Sequence, residues 1–398
     1  SRDNGSTVTA MSFPPLVDPA ALLTEAEQRR YSRHLLIPDI QELGQRRMKH
    51  ARVLCIGAGG LGSAVLPYLA AAGIGTIGIV EFDVVDESNL QRQVIHGTSD
   101  VGNSKAQSAK AAITELNPLV NVVLHEERLS SENAMRLFDQ YDLVIDGTDN
   151  FATRYLVNDA AVLTNTPYIW GSILRFDGQA SVFWAEHGPC YRCLHPLPPA
   201  PGTVPSCSEA GVLGVLCSSI GSIQVAEAVK LITGVGEPLV GRVIAFDALA
   251  MRYDEFAVRK DPNCAICGER ATITELQDYE AFCGLPSTSD TITVQELQRM
   301  LAQRAAGERD FQLIDVREPH EYAFVHIEGS ELIPMGEFVD GSALAKLTGE
   351  QIVLLCKVGG RSGAVLAALQ RAGYDDAIHV GGGVLEWVRL IEPEKPSY

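Results

Sequence analysis

Positive charge is scarce in this chain of 398 residues, which has 32 Lys and Arg against 50 Asp and Glu and a net charge of -18. A surface with that balance repels phosphate backbones and anionic lipid head groups. The composition therefore argues against a protein that binds nucleic acid or a membrane. With 46% hydrophobic and 21% charged residues, the chain is otherwise typical of globular proteins and long enough for two domains.

Long apolar runs are also missing. The most apolar stretch, 211–232, contains Gln224, Glu227 and Lys230, whereas a membrane-spanning helix needs about 20 predominantly apolar residues. We expect a buried helix there. No secretory signal is evident, and the odd number of cysteines, nine, argues against a disulfide framework. These absences predict a cytoplasmic protein whose cysteines serve thiol or metal chemistry.

What the chain does contain is an alternation of short apolar strands and helices. Strands are predicted at 51–57, 76–83, 121–127, 141–147 and 167–173, and helices at 24–49, 61–72, 103–116 and 153–163. This alternation predicts an α/β fold with a doubly wound, mostly parallel sheet of Rossmann type.

A second, smaller α/β unit follows. It has predicted helices at 293–302 and 361–372 and predicted strands at 311–316, 351–356 and 377–380. We divide the chain into a flexible start at 1–15, a first domain at 16–270, a linker at 271–290 and a second domain at 291–398.

The sequence GAGGLG (57–62) lies between a predicted strand and a predicted helix. Gly57 permits a tight turn, Gly59 lets the backbone approach a phosphate, and Gly62 lets the helix pack on the strand. The helix N-terminus then offers free N–H groups to an anion. Glu81, at the end of the next strand, stands where an acidic residue would bind ribose hydroxyls. Alone, this motif favours a nicotinamide dinucleotide enzyme.

Charged residues beyond the motif favour a triphosphate instead. Arg92 belongs to the segment SNLQRQ (88–93), Lys105 starts a helix, and Asp149 follows a strand in GTDN (147–150). Arg92 and Lys105 would balance phosphate charge, and Asp149 would hold Mg²⁺. There is no Walker-type GxxxxGK[ST] stretch, which argues against a P-loop enzyme.

From about Leu16 onward, these motifs together resemble the MoeB/ThiF adenylyltransferases, which are relatives of ubiquitin-activating enzymes. The resemblance implies an ATP site at Gly57, Gly59, Gly60, Gly62, Glu81, Ser88, Asn89, Leu90, Gln91, Arg92, Lys105, Asp149 and Asn150. The family usually has Asp where this chain has Glu81. The resemblance also implies a homodimer in which Arg33, in RYSRHLL (30–36), reaches into the partner's site.

Two C-x-x-C pairs, Cys190 with Cys193 and Cys264 with Cys267, supply four thiols. Two such pairs make a closed tetrahedral zinc site. Because a closed site leaves no ligand position for a substrate, we predict structural zinc that joins two distant segments. Two buried or redox-active pairs without metal are the alternative.

Cys356 begins the segment CKVGGRS (356–362), between a predicted strand and a predicted helix. Successive N–H groups, the helix N-terminus and Arg361 would stabilise a thiolate or a persulfide there. The segment resembles the active loop of rhodanese-like domains, and IDVRE (314–318) and HVGGGVLEW (379–387) resemble other parts of that fold. With this unit added, the chain resembles the fused MoeZ-type adenylyltransferase/sulfurtransferases.

The resemblance implies a reaction in two stages. ATP would adenylate the C-terminal Gly-Gly carboxylate of a ubiquitin-like sulfur carrier protein. Cys356 would then pass on sulfur, taken from thiosulfate or a cysteine desulfurase persulfide, to form a thiocarboxylate, and Cys207 would act as a second catalytic thiol. Three alternatives stay open: a nicotinamide oxidoreductase, a carrier-binding scaffold without catalysis, and an activating enzyme for protein conjugation.

Overall fold

The computed structural model describes residues 13–199, 211–283, 290–348 and 351–396. The chain forms two compact units, of which the first ends at Gln277 and the second begins at Asp278. Each unit has its own sheet and its own hydrophobic core.

Eight strands of the described residues form the sheet of the first unit, in the order β3-β2-β1-β4-β5-β6-β7-β8. They are β1 (Arg52–Ile56), β2 (Thr76–Val80), β3 (Asn121–His125), β4 (Leu143–Asp146), β5 (Tyr168–Leu174), β6 (Asp177–Phe183), β7 (Arg242–Asp247) and β8 (Arg252–Ala257). The first five are parallel, as predicted. The antiparallel extension through β6, β7 and β8 is not evident from the sequence pattern.

The helices of the first unit cover the sheet. They are α1 (Glu25–Arg30), α2 (Ser32–Leu35), α3 (Gln41–His50), α4 (Gly60–Ala72), α5 (Lys105–Leu116), α6 (Ala134–Phe138), α7 (Phe151–Leu163), α8 (Tyr191–Leu194) and α9 (Val215–Thr233). The single helix predicted at 24–49 is therefore wrong in extent. The helical conformation is interrupted by turns at Tyr31 and between Leu36 and Ile40.

Helix α9 is the described helix that is long and apolar enough to span a membrane by length and composition. It packs on α4 and on strands β5 and β6. Its polar residues Gln224 and Glu227 are buried within the unit, and Gln224 donates to the carbonyl oxygens of Asp146 and Ile169. The helix is thus part of the core of the first unit, as its polar residues predict.

The strand order places β1 beside β4, although β2 and β3 lie between them in the chain. The chain leaves β1 toward β2 on one side and β4 toward β5 on the other, which makes the carboxyl ends of β1 and β4 the point where the order reverses. Ligands of open α/β sheets bind in the crevice at such a point. The glycine turn after β1 and the GTDN turn after β4 both lie there.

The second unit is built on a five-stranded parallel sheet of order β11-β10-β12-β13-β9. Its strands are β9 (Thr291–Ile292), β10 (Gln312–Asp315), β11 (Glu331–Leu332), β12 (Ile352–Leu355) and β13 (Ile378–Val380). Its helices are α10 (Tyr279–Phe282), α11 (Val294–Ala305), α12 (Pro319–Phe324), α13 (Met335–Val339), α14 (Gly360–Arg371) and α15 (Gly383–Leu390).

Strand β12 is the centre of this sheet and is buried on both faces. Val353 and Leu355 pack with α11 and α15 on one side, while Ile352 and Leu354 pack with α14 on the other. A parallel strand covered on both faces reads as a continuous apolar run, which explains why 351–356 is recognisable in the sequence. Cys356 directly follows this strand.

Candidate active sites

The glycine turn after β1 has the geometry that its sequence predicts. Gly57 has a φ of +92°, which favours glycine. A side chain on Gly62 would overlap the carbonyl oxygen of Gly57, so the helix can lie this close to the strand only without a Cβ. Helix α4 begins at Gly60 and points its free N–H groups toward the crevice, where they favour an anion.

Glu81 supports this turn directly. One carboxylate oxygen accepts the N–H of Ala58, and the other accepts the N–H groups of Phe82 and Asp83, each at 2.9 Å. A carboxylate has about four acceptor positions, so these three bonds leave capacity for a further donor. Glu81 is thus a brace of the glycine turn, and its predicted contact with ribose stays a prediction.

A cavity of about 240 Å³ opens at the carboxyl ends of β1 and β4. The predicted ATP-site residues that line it are Gly57, Gly59, Gly60, Glu81, Arg92, Lys105, Asp149 and Asn150. The predicted residues outside this lining, within the part of the chain that the structure describes, are Gly62, Ser88, Asn89, Leu90 and Gln91. The cavity therefore unites both turns with the two cations predicted to meet phosphate.

The two predicted cations differ in their surroundings. Lys105 is buried, and its Nζ lies 3.2 Å from a carboxylate oxygen of the half-exposed Asp83. Arg92 is half-buried and donates to the carbonyl of Ser88 at 3.1 Å. Asp83 holds the ammonium group at the cavity wall without fully neutralising it, because water reaches that carboxylate.

The GTDN turn is held by its own side chains. Asn150 caps α7, since its Oδ1 accepts the N–H of Thr153 at 2.8 Å. Asp146 is fully buried at the end of β4, where its Oδ1 accepts the N–H and the hydroxyl of Thr148. Burial raises the pKa of Asp146, and the hydrogen bonds from Thr148 and the charge of Arg154 partly offset this increase. Asp149 is exposed at the cavity lining.

Arg154 is a cavity residue that sequence reasoning missed. It lies one turn into α7 and is buried, with its guanidinium over the rings of Phe151 and Trp170. One terminal nitrogen donates to the carbonyl of Thr148 at 3.4 Å. A buried arginine that lines a polar cavity adds a further positive charge for an anionic ligand. Its position four residues after Asn150 was the signal available in the sequence.

The four cysteines of the two C-x-x-C pairs come together in the first unit. Their sulfur atoms all lie within 4.8 Å of one another, with 3.6 Å between Cys190 and Cys264 and 3.4 Å between Cys193 and Cys267. A tetrahedral ion with Zn–S bonds of about 2.3 Å separates its sulfurs by roughly 3.8 Å. The N–H of Asp261 also donates to the sulfur of Cys193. The cluster fits a tetrahedral metal ion.

Cys356 lies in a tight backbone cradle in the second unit. Its buried sulfur accepts the N–H of Gly359 at 3.1 Å, and Gly359 has a φ of +109°. From the opposite loop, the N–H of Val384 donates to the carbonyl of Cys356 at 2.9 Å. A side chain on Gly383 would overlap that same carbonyl. Both glycine-containing segments are therefore needed to close the loop around the sulfur.

Arg361 forms a bidentate ion pair with Glu321, with distances of 2.6 and 2.7 Å. Glu321 thus neutralises the positive charge of Arg361 that the sequence assigns to the sulfur, so the anion-stabilising role of Arg361 stays a prediction. Arg317 is fully buried and pairs with Asp315.

The remaining predicted residues are dispersed. Arg33 is exposed on α2. Cys207 lies outside the described residues. Three further cysteines, Cys55, Cys217 and Cys283, are buried, and burial raises the pKa of Cys55 far above its usual range.

Fold and sites together define a nucleotide-binding α/β enzyme joined to a rhodanese-like unit. Residues 31–266 match the model of the ThiF family, and residues 293–390 match that of the rhodanese-like domain. The chain belongs to the ThiF family and carries a C-terminal rhodanese-like domain. It is an enzyme with adenylyltransferase and sulfurtransferase units. The two family matches confirm the predicted α/β fold and the resemblance stated above.

Relatives support this assignment along the whole chain. The chain is 55% identical to "Probable adenylyltransferase/sulfurtransferase MoeZ" of Mycobacterium tuberculosis over 399 residues, covering 97% of this chain and 99% of that protein. It is 52% identical to "Sulfur carrier protein adenylyltransferase" of Thermus thermophilus, covering 66% of this chain and 98% of that protein. The crystal structure of E. coli MccB is similar in fold, with a TM-score of 0.56 and 22% identity over 64% of this chain and 76% of that one.

Proposed function

We propose that this enzyme adenylates the C-terminal Gly-Gly carboxylate of a ubiquitin-like sulfur carrier protein and then converts it to a thiocarboxylate. The observation that carries the proposal is the presence, in one chain, of a cation-lined nucleotide cavity and a thiol held in a backbone cradle. The printed function of the Thermus relative, a sulfur carrier protein adenylyltransferase, supports the carrier as substrate.

In the first stage, the nucleotide lies over the glycine turn with its phosphates among Arg92, Lys105 and Arg154. These cations offset charge as the carrier carboxylate attacks the α-phosphate and pyrophosphate leaves. Asp149 would hold Mg²⁺, which would balance further phosphate charge. A general base is unnecessary because the attacking group is already a carboxylate.

In the second stage, the thiolate of Cys356 attacks the outer sulfur of the donor and becomes a persulfide. The donor's S–S bond breaks, which releases sulfite from thiosulfate or a thiolate from a desulfurase persulfide. The terminal sulfur attacks the acyl adenylate, so that a carbon–sulfur bond forms and AMP leaves. The product is an acyl disulfide between the carrier and Cys356. A second thiolate, for which Cys207 is the candidate, then attacks the sulfur of Cys356 and releases the thiocarboxylate, leaving a disulfide behind.

The finer features of the resemblance belong to the same proposal. The exposed position of Arg33 on α2 is compatible with a homodimer in which this arginine contacts the partner's nucleotide. Thiosulfate and a cysteine desulfurase persulfide both remain donors that suit the Cys356 loop. A cytoplasmic location also stays a prediction.

We further propose that the four-cysteine cluster holds a structural Zn²⁺, and we expect its loss to destabilise the first unit. Replacing Cys264 with Ser removes one thiolate ligand, so bound zinc should fall from about one ion per chain to near none. A decrease of roughly 4 kcal/mol in the free energy of unfolding would lower the Tm by about 10 °C. Metal analysis and thermal unfolding measure both effects.

The matched control for this change is Cys283→Ser, which alters a buried cysteine outside the cluster. It should keep its zinc. A Cys264→Ser protein with wild-type zinc content, or a metal-free protein with an unchanged Tm, would contradict the zinc proposal.

The adenylation proposal is tested by carrier-dependent exchange of labelled pyrophosphate into ATP. Exchange should require a carrier that ends in Gly-Gly, because only a free terminal carboxylate can attack ATP. The same carrier with its C-terminal carboxylate converted to an amide is the control and should support little exchange. Equal exchange with both carriers would rule out the terminal Gly-Gly carboxylate as the nucleophile, whereas carrier binding without exchange would favour a scaffold.

A further inference from the structure

Behind Cys356 lies a chain of hydrogen bonds that the proposed mechanism does not use. The hydroxyl of Ser362 lies 3.5 Å from the sulfur of Cys356. It also lies 3.2 Å from Nδ1 of His379. Nε2 of His379 lies 2.9 Å from the hydroxyl of Thr291. Ser362 is fully buried and His379 nearly so, so the chain is largely shielded from bulk water.

The fold brings these residues together from separate elements. Ser362 lies in the first turn of α14, two residues after the helix begins at Gly360. His379 is in the middle of β13, where its backbone is paired with Thr291 of β9 in the parallel register. The three side chains therefore meet only when the sheet and the Cys356 loop are both formed.

One assignment of the protons to His379 lets Ser362 donate to the sulfur. Burial lowers the pKa of His379, and Asp290 only partly opposes this effect, so the ring is neutral near pH 7. A neutral imidazole has one donor and one acceptor nitrogen. If the hydroxyl of Thr291 donates to Nε2, then Nδ1 carries the proton and donates to the oxygen of Ser362.

Ser362 must then direct its own proton elsewhere. Two acceptors lie in reach, the sulfur of Cys356 and the carbonyl of Gly359 at 3.1 Å. That carbonyl already accepts the N–H of Gly363, whereas a thiolate gains a stronger, charge-assisted bond. The hydroxyl proton is therefore best used on an anionic sulfur.

We propose that His379 is a positioning residue for sulfur transfer, which turns the hydroxyl of Ser362 so that it donates to the anionic sulfur of Cys356. The proposal rests on the role proposed above for Cys356. The sulfur then has two donors, the N–H of Gly359 and the hydroxyl of Ser362. Charged groups close to the loop include Lys357, the Arg361–Glu321 pair and the Arg389–Glu386 pair on α15, and Asp290 lies beside His379.

The test is the pH profile of sulfur transfer by the full-length protein, with thiosulfate as donor and cyanide as acceptor. Replacing His379 with Leu removes the donor to Ser362, so the anionic sulfur loses an oriented hydroxyl that stabilises it. We expect the midpoint of the profile to move upward by about one pH unit and the rate near pH 7 to fall about 10-fold, with recovery at alkaline pH. The loss of a merely structural residue would lower the rate at every pH.

Matched variants distinguish a role of His379 in orienting Ser362 from a role in packing. His379→Asn keeps an N–H near the place of Nδ1 and should retain a midpoint close to that of the wild type. Thr291→Val removes the partner of Nε2 and should shift the midpoint in the same direction by less. His320→Asn, at an exposed histidine of the same unit, should leave the profile unchanged.

Ser362→Ala provides the decisive comparison, because His379 acts through this hydroxyl. The double variant with His379→Leu should have the same midpoint as Ser362→Ala alone. An unshifted midpoint in His379→Leu, or additive shifts in the double variant, would overturn the inference. If His379→Leu does not fold, unshifted midpoints in both Thr291→Val and Ser362→Ala would overturn it equally.

Failure of the underlying assignment would look different. A wild-type protein without any transfer from thiosulfate to cyanide, or a Cys356→Ser protein with full transfer, would remove the role of Cys356 itself. An active wild type that loses transfer in Cys356→Ser, together with an unshifted midpoint in His379→Leu, would overturn the positioning role alone.

Discussion

Replacing Cys356 with Ala should abolish sulfur transfer while leaving adenylation intact. The sulfur of Cys356 is the atom that accepts the N–H of Gly359, and alanine has no atom that can carry a persulfide. Transfer from thiosulfate to cyanide should therefore fall to background, a loss of at least about 10³-fold. Pyrophosphate exchange depends on the separate cavity of the first unit and should stay within about twofold of the wild-type rate.

The control for this prediction is Cys283→Ala, since Cys283 is another buried cysteine of the second unit. It should retain both activities, and thermal unfolding should show that both variants remain folded. If Cys356→Ala kept its sulfur transfer, the nucleophile would have to be another thiol. Loss of both activities in a folded Cys356→Ala protein would mean that the two half-reactions are not separable as proposed.

Replacing Lys105 with Met should produce the converse defect. The ammonium group of Lys105 is buried at the cavity wall, where a charge acts on phosphate with less screening than in water. Removing one such group typically costs 10²- to 10³-fold in rate, and we expect a loss of about that size in carrier-dependent pyrophosphate exchange. Transfer from thiosulfate to cyanide should be unaffected.

The stability of this variant should change little. The partner of Lys105, Asp83, has a half-exposed side chain, so water can hydrate its carboxylate once the ion pair is gone. Lys110→Met is the matched control, because Lys110 lies on the same helix, α5, and is exposed. Exchange in Lys105→Met within about threefold of the Lys110→Met rate would show that Lys105 does not balance phosphate charge.

The fold could be predicted from sequence where its elements are locally distinctive. Strands β1, β2, β4 and β12 are apolar runs next to glycine-rich or polar turns, and buried parallel strands have that pattern. By contrast, the edge strand β8 reads RYDEFA and is largely exposed. Its place in the sheet depends on pairing with β7, which no local pattern reveals.

The candidate sites could likewise be predicted where local sequence decides the geometry, and not where distant residues decide it. The glycine turn and the two C-x-x-C pairs are recognisable because few neighbouring residues decide their geometry. The role of Arg154 was missed because its contact with the cavity depends on how α7 packs beside Trp170. The partner of Arg361 lies 40 residues away at Glu321, so an arginine that looks available to the sulfur in the sequence is paired in the fold.

The chain of hydrogen bonds behind Cys356 shows most clearly what local sequence cannot predict. His379 and Thr291 are 88 residues apart, and they meet only because β13 pairs with β9. Nothing in the local sequence of either residue marks it as a partner of the sulfur. Long-range pairings of this kind require the assembled sheet.

The central claim is that one chain performs both half-reactions on the same carrier, and the intact mass of that carrier tests it most directly. The purified protein would be incubated with ATP, Mg²⁺, thiosulfate, a thiol reductant and a carrier ending in Gly-Gly. We predict that the carrier gains the mass difference between sulfur and oxygen with the wild-type protein, and accumulates as an adenylate with Cys356→Ala. If the enzyme is folded and binds ATP, yet every one of several candidate carriers keeps its original mass, the result would contradict the account.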